Sequence, residues 1–450
     1  MKRFILKNIT KIVSLIMIFV LSVPMFGCVA NYPKGAPELK DEKEMFIGAY
    51  CAPQPTDEQY KWVAESGITH MFVGGGDYLT NWGYGYDDEE YYSLPFDYAA
   101  KYGVKCVMHV KDTSYKVMGE LLEEVKAREN FEGFLVYDEP PATQYGRLAS
   151  DYKRYKVEVP NQPYYVNLLP TYSQKEQLGK KKTGEYYTYE EYLEEYKNKV
   201  LKKYDANYRV LMCDHYPLKE GGITNDWLYN LELLRTAADE VNGEVYLFLQ
   251  SQGFLGEWRQ PYSVAEMTFQ MYVNMAYGAR GLAHYPYQTP ESSDEKRNPA
   301  SILPDGTKST MYPLVKAMNV ELKKFDGVYL DFDWKAVVAK AGKRNIDKTN
   351  LNFEKCSNLQ ESYGLLKKVE CKYDAIVGCF ENEQGYQGFL AVNFNDPKKE
   401  LKNEVTLYFK KADKAIVYLD GEPKTFDVKD GKLTLDLGLG EGAFVVPYCE

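Results

Sequence analysis

From Met45 to Leu330, short apolar runs alternate with stretches whose apolar residues recur at helical spacing. The runs 45–50, 70–73, 104–110, 133–137, 163–169, 208–214, 244–251 and 281–285 are predicted strands. The stretches 57–66, 93–102, 116–128, 143–156, 187–204, 226–241, 263–277 and 311–325 are predicted helices, the first two stopped by Gly67 and Gly103. Strand followed by helix, eight times, predicts a (β/α)8 TIM barrel over residues 44–330. A doubly wound open sheet is the competing arrangement, and under it the count of eight is a coincidence.

After Asp331 the period changes. Predicted strands at 373–380, 388–393, 405–409, 414–418, 432–435 and 442–447 are separated by turns such as Asp420-Gly421 and Asp430-Gly431. Residues 331–450 therefore read as a small all-β accessory domain, a sandwich. Tyr-rich polar insertions at 84–92 and 180–192 read as loops over a barrel face.

The N-terminus adds a destination. Lys2, Arg3, Lys7 and Lys11 precede an apolar stretch, Ile12 to Phe26, and then Gly27-Cys28. This resembles a bacterial lipoprotein signal peptide spanning 1–28, which implies lipidation of Cys28 and a membrane-anchored protein facing outside the cytoplasm. An ordinary cleaved signal and an uncleaved anchor are the alternatives, and both also place the chain outside the cytoplasm. Residues 29–43 are expected to be a tether outside the fold.

Composition removes some partners. A net charge of -10 argues against nucleic acid, because phosphate binding needs a basic face. The cysteines show no CxxC or Cys/His ligand spacing, so no zinc site is implied, nor any other cofactor. The chain carries 41 tyrosines, whose flat amphipathic rings suit oligosaccharide or polysaccharide substrates.

In a barrel, ligands bind where strands end. The fourth run ends abruptly in Asp138 and Glu139, followed by Pro140 and Pro141, which cannot continue a ladder. Two carboxylates at such a site have their proton affinities pushed apart, which suits proton transfer. The other strand ends supply Tyr50, Asp77, His109, Lys111, Asn167, Asp214, His215, Tyr216, Gln250, Gln252, His284 and Tyr285. Glu257, Trp258 and Arg259 follow strand seven, and Glu257 is expected either to swing toward the site or to pair with Arg259. Trp82, Tyr84, Trp258 and Tyr287 are candidate platforms for sugar rings, whereas hydrogen-bonding roles suit the histidines better than metal ligation.

The Tyr137-Asp-Glu-Pro140 run resembles that of (β/α)8-barrel glycoside hydrolases whose acid/base carboxylate follows strand four. The stretches 250–261 and 277–281 are similar to the seventh and eighth units of bacterial polysaccharide-degrading barrels. The resemblance implies hydrolysis of a glycosidic bond with Glu139 as general acid. The second group stays open. Asp214 is the preferred carboxylate, Glu257 another, and Asp138 would orient a substrate acetamido group in substrate-assisted chemistry. Tyr50, His109, Asn167, Tyr216, Gln250, Glu257, Trp258 and His284 are the expected substrate-binding residues. A non-catalytic glycan-binding lipoprotein on the same scaffold is the rival function. One geometrical obstacle is plain: neighbours on a strand face opposite sides, so Asp138 and Glu139 share a pocket only if the chain has already turned.

Overall fold

The computed structural model describes residues 32–74, 89–110, 123, 125–204, 209–290, 297–344 and 350–450, with the side chains of 89–92 excepted. Eight parallel strands close a barrel: β1 (Phe46–Ala49), β2 (His70–Val73), β3 (Lys105–His109), β4 (Phe131–Asp138), β5 (Tyr164–Leu168), β6 (Val210–Cys213), β7 (Glu244–Gln250) and β8 (Ala279–Tyr285). Each pairs with its sequence neighbours, and β1 pairs with β8 to close the ring. The predicted helix 116–128 and the insertion 84–92 lie largely outside the described residues, as do Asp77, Trp82, Tyr84, Lys111 and the whole 1–28 segment with Cys28. Among the described residues no helix is long and apolar enough to cross a membrane.

Strand alternation sorts the core into two layers. Phe46, Phe72, Val107, Leu135, Tyr165, Met212, Phe248 and Ala283 fill the barrel interior. Their neighbours Ile47, Met71, Cys106, Val136, Val166, Leu211, Leu249 and Leu282 pack outward against the helices. Side chains cap some of the helices. Ser263 accepts from the Glu266 amide at the start of helix Val264–Ala276, and Thr188 and Glu191 form a reciprocal capping box at the start of Tyr189–Lys199.

Strand β4 breaks the alternation twice. Its register shifts against β3 between Phe131 and Phe134, and against β5 between Leu135 and Tyr137. The first shift contains Gly133 at φ +92°, where a Cβ would lie 2.1 Å from the Pro163 carbonyl oxygen. Only glycine fits that close approach.

The C-terminal part is a two-sheet sandwich. One sheet has six antiparallel strands: β9 (Phe332–Lys340), β11 (Ala375–Asn382), β12 (Gln387–Asn393), β17 (Gly442–Tyr448), β14 (Lys414–Leu419) and β15 (Glu422–Asp427), in that order. The other has β10 (Leu366–Cys371), β13 (Asn403–Phe409) and β16 (Lys432–Leu437). Val338, Val369, Val377, Leu407, Val417, Leu435 and Val445 form the apolar layer between them. Three strands, β9, β10 and β15, lie outside the sequence expectation. The expected tether also differs: from Tyr32 the chain packs on the sandwich. The Tyr32 hydroxyl donates to the Pro447 carbonyl at 2.7 Å, and the Gly35 amide donates to the Cys449 carbonyl at 2.7 Å. The seven described cysteines are all free thiols.

The barrel and the sandwich meet along helix Val264–Ala276. Gly378 and Gly442 lie against Ala276 and Tyr272, and the Trp334 indole donates to the Ala276 carbonyl at 3.0 Å. Beside this seam Arg259, 2 % exposed, pairs with Glu266 at 3.0 Å and with both Asp396 oxygens at 2.6 and 3.2 Å. It also donates to the Lys219 carbonyl. Glu257 is therefore not the partner of Arg259. A buried carboxylate left without its cation costs far more than the pair is worth. Arg259→Met should lower the unfolding free energy by about 3–5 kcal/mol, read as a fall in the denaturant midpoint. An unchanged midpoint would show that the interior tolerates both carboxylates alone.

Candidate active site

The second irregularity of β4 decides which side chains reach the barrel mouth. Leu135 faces the interior, opposite Tyr165. Val136 and Tyr137 then both pack outward, and together they oppose the single residue Val166. The phase is thereby reversed, so that Asp138 faces inward opposite Asn167. On an unbroken strand Asp138 would point at the helices.

Glu139 follows in the left-handed region, at φ +54°, while its amide still donates to the Asn167 carbonyl at 2.9 Å. That conformation turns its side chain to the same side as Asp138. Two adjacent carboxylates thus line one pocket, and the geometrical obstacle read from the sequence is removed by a bulge and one strained residue.

The pocket encloses about 220 Å³ and is lined by Tyr50, Asp138, Glu139, Asn167, Asp214, Tyr216, Phe248 and Tyr285. Strand β6 places the third acid by ordinary alternation. Met212 points in, Cys213 out, and Asp214 in again. His215 then points away, its Nε2 3.4 Å from Asp226, and Tyr216 returns to the pocket. The loop is held by Tyr172, whose hydroxyl donates to the Asp214 carbonyl and accepts from the Tyr216 amide.

Electrostatically the three acids form one unit. Burial, and then the Asp138 charge, push the Glu139 carboxyl up to about 7, partly offset by a hydrogen bond with Asp214. Burial, followed by the Glu139 and Asp138 charges, raises Asp214 well above the usual carboxylate range, against a smaller opposing effect of the Asn167 amide. Each of the two shifts the other's proton affinity, so Glu139 and Asp214 titrate as a pair. The Asn167 amide donates to Asp138 at 2.9 Å. Asp214 Oδ1 and Asn167 Oδ1 are buried without a hydrogen-bond partner. Unsatisfied acceptors at a pocket wall are placed to receive hydroxyl donors of a ligand.

The other expected residues divide. Tyr50 lines the pocket with His109 behind it, the Tyr50 hydroxyl lying 2.9 Å from His109 Nδ1. His109 itself is not part of the lining. Gln250, Glu257 and Trp258 line a neighbouring hollow rather than the acidic pocket. Gln250 is committed to the scaffold: its Nε2 donates to the Leu218 and Arg259 carbonyls and its Oε1 accepts from the Leu218 amide. His284 is a correction. It is fully buried on the outward face of β8, between Ser251 at 3.0 Å and Asn319 at 2.9 Å, and burial lowers it to about 4. Its neighbour Tyr285 has the inward phase. Tyr287 is likewise buried in the core, away from any sugar-sized opening. Phe248 was not anticipated; it is one apolar residue among many in β7, and only its inward phase marks it. Among the described residues no three His, Cys, Asp or Glu side chains are grouped to hold a metal ion.

No protein-family model and no curated protein sequence matches this chain. Solved structures do. It is similar to a catalytic mutant of Gan42B, a GH42 β-galactosidase from G. stearothermophilus, with a TM-score of 0.57 and 9% identity over 93% of this chain and 100% of that one. It is also similar to a β-galactosidase from Bacillus circulans sp. alkalophilus, with a TM-score of 0.56 and 10% identity over 90% and 99%. The likeness is one of fold alone: a closed eight-stranded (β/α)8 barrel.

The left-handed Glu139 backbone yields a test free of any substrate. Glu139→Ala and Glu139→Gly both delete the carboxyl, but only glycine adopts φ +54° without a Cβ penalty. Glu139→Gly should be about 1 kcal/mol more stable than Glu139→Ala in thermal or denaturant unfolding. Equal stabilities would mean that the backbone there stores no strain.

Proposed function

We propose that this protein hydrolyses a glycosidic bond, with Glu139 as general acid/base and Asp214 as its partner carboxylate. The observation that carries the reading is that Asp138, Glu139 and Asp214 line one barrel-mouth pocket, with Glu139 raised to about 7. A carboxyl raised to about 7 still carries its proton in about half of the molecules at neutral pH and can give it to a leaving glycosidic oxygen. The negative charge left on the pair lies where positive charge develops on the sugar ring.

Carboxyls about 5 Å apart suit a retaining mechanism and those roughly 6.5–9.5 Å apart an inverting one. In the retaining case Asp214, in its charged form, is the nucleophile. Asp138, facing the same pocket and held by Asn167, orients the substrate. Its position also supports a second reading, in which it steers a substrate acetamido group that itself attacks the anomeric carbon. The glycoside hydrolase folds among the solved structures agree with a carbohydrate substrate.

Glu139→Gln should cut kcat/KM on an unactivated glycoside by about two or more orders of magnitude while glycan binding persists. In the wild type, activity should decline as pH rises through about 7, where Glu139 loses its proton. Turnover unaffected by Glu139→Gln would remove the assignment, and absence of any turnover would leave a glycan-binding barrel. Tight binding of an N-acetyl thiazoline would favour the acetamido reading over Asp214 as nucleophile.

The basic and apolar first residues support a proposal for the location. We place the enzyme on the outer side of a membrane, tethered through a lipid on Cys28. Cys28→Ser should then move it from the membrane fraction to the soluble fraction; an unchanged distribution would exclude the lipid anchor.

A further inference from the structure

Across the shared Tyr216 and Tyr285 side chains, the acidic pocket adjoins a second hollow of about 260 Å³. Phe254 and Trp258 join these two tyrosines in its wall. Tyr216 stacks on Tyr285 with centroids 5.6 Å apart, and Trp258 meets Tyr216 edge-on at 6.3 Å. The hollow is therefore an aromatic slot opening beside the three carboxylates.

Its polar groups are mostly occupied. Gln250 is bonded to backbone at Leu218 and Arg259, and Gln252 Nε2 donates to the Asn298 carbonyl. One group is cationic. Arg297 lines the hollow and hydrogen-bonds the Tyr285 hydroxyl, while its buried Nε has no hydrogen-bond partner. A second cation stands alongside, Lys219, with its Nζ 4.3 Å from the centroid of the Trp258 ring. Glu257 also borders the hollow, but it is exposed, where water and salt screen its charge. In a chain of net charge -10, two cations at one aromatic wall are a local reversal of sign.

A pyranose offers an apolar C–H face to an aromatic ring. A guanidinium with unused donors prefers a planar carboxylate to any neutral hydroxyl. We propose that this second hollow is a subsite for an acidic sugar, a hexuronate residue, next to the sugar whose bond Glu139 would break. The C–H face lies on Trp258, and the carboxylate meets Arg297 with Lys219 nearby. The substrate class is then a uronate-containing glycan. The proposal depends on the reading of the acidic pocket as a glycan site only for the identity of the neighbour, and its test needs no turnover.

The full chain, labelled with 5-fluorotryptophan, is titrated with the methyl β-glycoside of glucuronic acid and, separately, of glucose, following the Trp258 fluorine signal. The uronate should bind at least about tenfold more tightly than the glucoside, a difference of about 1.4 kcal/mol. Added salt should weaken the uronate alone. Arg297→Met should erase the difference by weakening only the uronate. Equal affinities for the two sugars, or an Arg297→Met chain that keeps the preference, would overturn the proposal, as would a Trp258 signal that neither sugar moves. A uronate preference that persists in a chain shown to lack hydrolysis would leave this subsite standing while removing the enzymatic reading.

Discussion

The phase of strand β4 is the constraint on which the rest of the site depends. A barrel strand offers alternate residues to the interior, and a pocket at its mouth inherits that alternation. One extra residue at Val136–Tyr137 changes which side chains arrive there. Asp138 enters, opposite Asn167, and the left-handed Glu139 turns in beside it. Remove the bulge and the first acid faces the helices, while the second loses the neighbour that raises its proton affinity. Strain at Glu139 and like-charge crowding are both unfavourable locally, and the surrounding ladder, including the Glu139 amide bonded to Asn167, holds them in place.

The pocket runs from an exposed Asp138 at its rim to a partly buried Glu139 and Asp214. Asp214 lies at its inner wall, and aromatic residues from β1, β6, β7 and β8 surround the acids. In such surroundings a negative charge is costly, so the carboxyls retain protons that free carboxylates would lose. The same aromatic groups, Tyr216 and Tyr285, form the wall shared with the neighbouring hollow. One pair of rings thus borders a proton-holding chamber on one side and a cation-bearing slot on the other.

Much of this was legible in the sequence. The eight apolar runs mark eight barrel strands within a residue or two at most ends, because buried parallel strands have no polar face to blur them. The same property hides the bulge. Val136 and Tyr137 are both apolar, so nothing in their order reveals that they share a side. Alternation, had it been counted from Ala283, separates His284 from Tyr285, and from Met212 it separates His215 from Asp214. The strand-end histidines His215 and His284 turn away from the pocket, whereas Asp214 and Tyr285 beside them turn in. Strand β15 was missed because every one of its residues is exposed, leaving no apolar alternation to read. Arg297 carries no local signal at all: it lies beyond the eighth strand and reaches the slot only through the tertiary fold.

The buried Arg259 has a meaning beyond cohesion. It sits one residue after Trp258, and Asp396, a sandwich residue, grips its guanidinium through two oxygens. The aromatic wall next to the acids is thus braced from outside the barrel. The β-sandwich behaves as a buttress: a carboxylate of one fold fixes the residue next to a pocket-lining aromatic of the other.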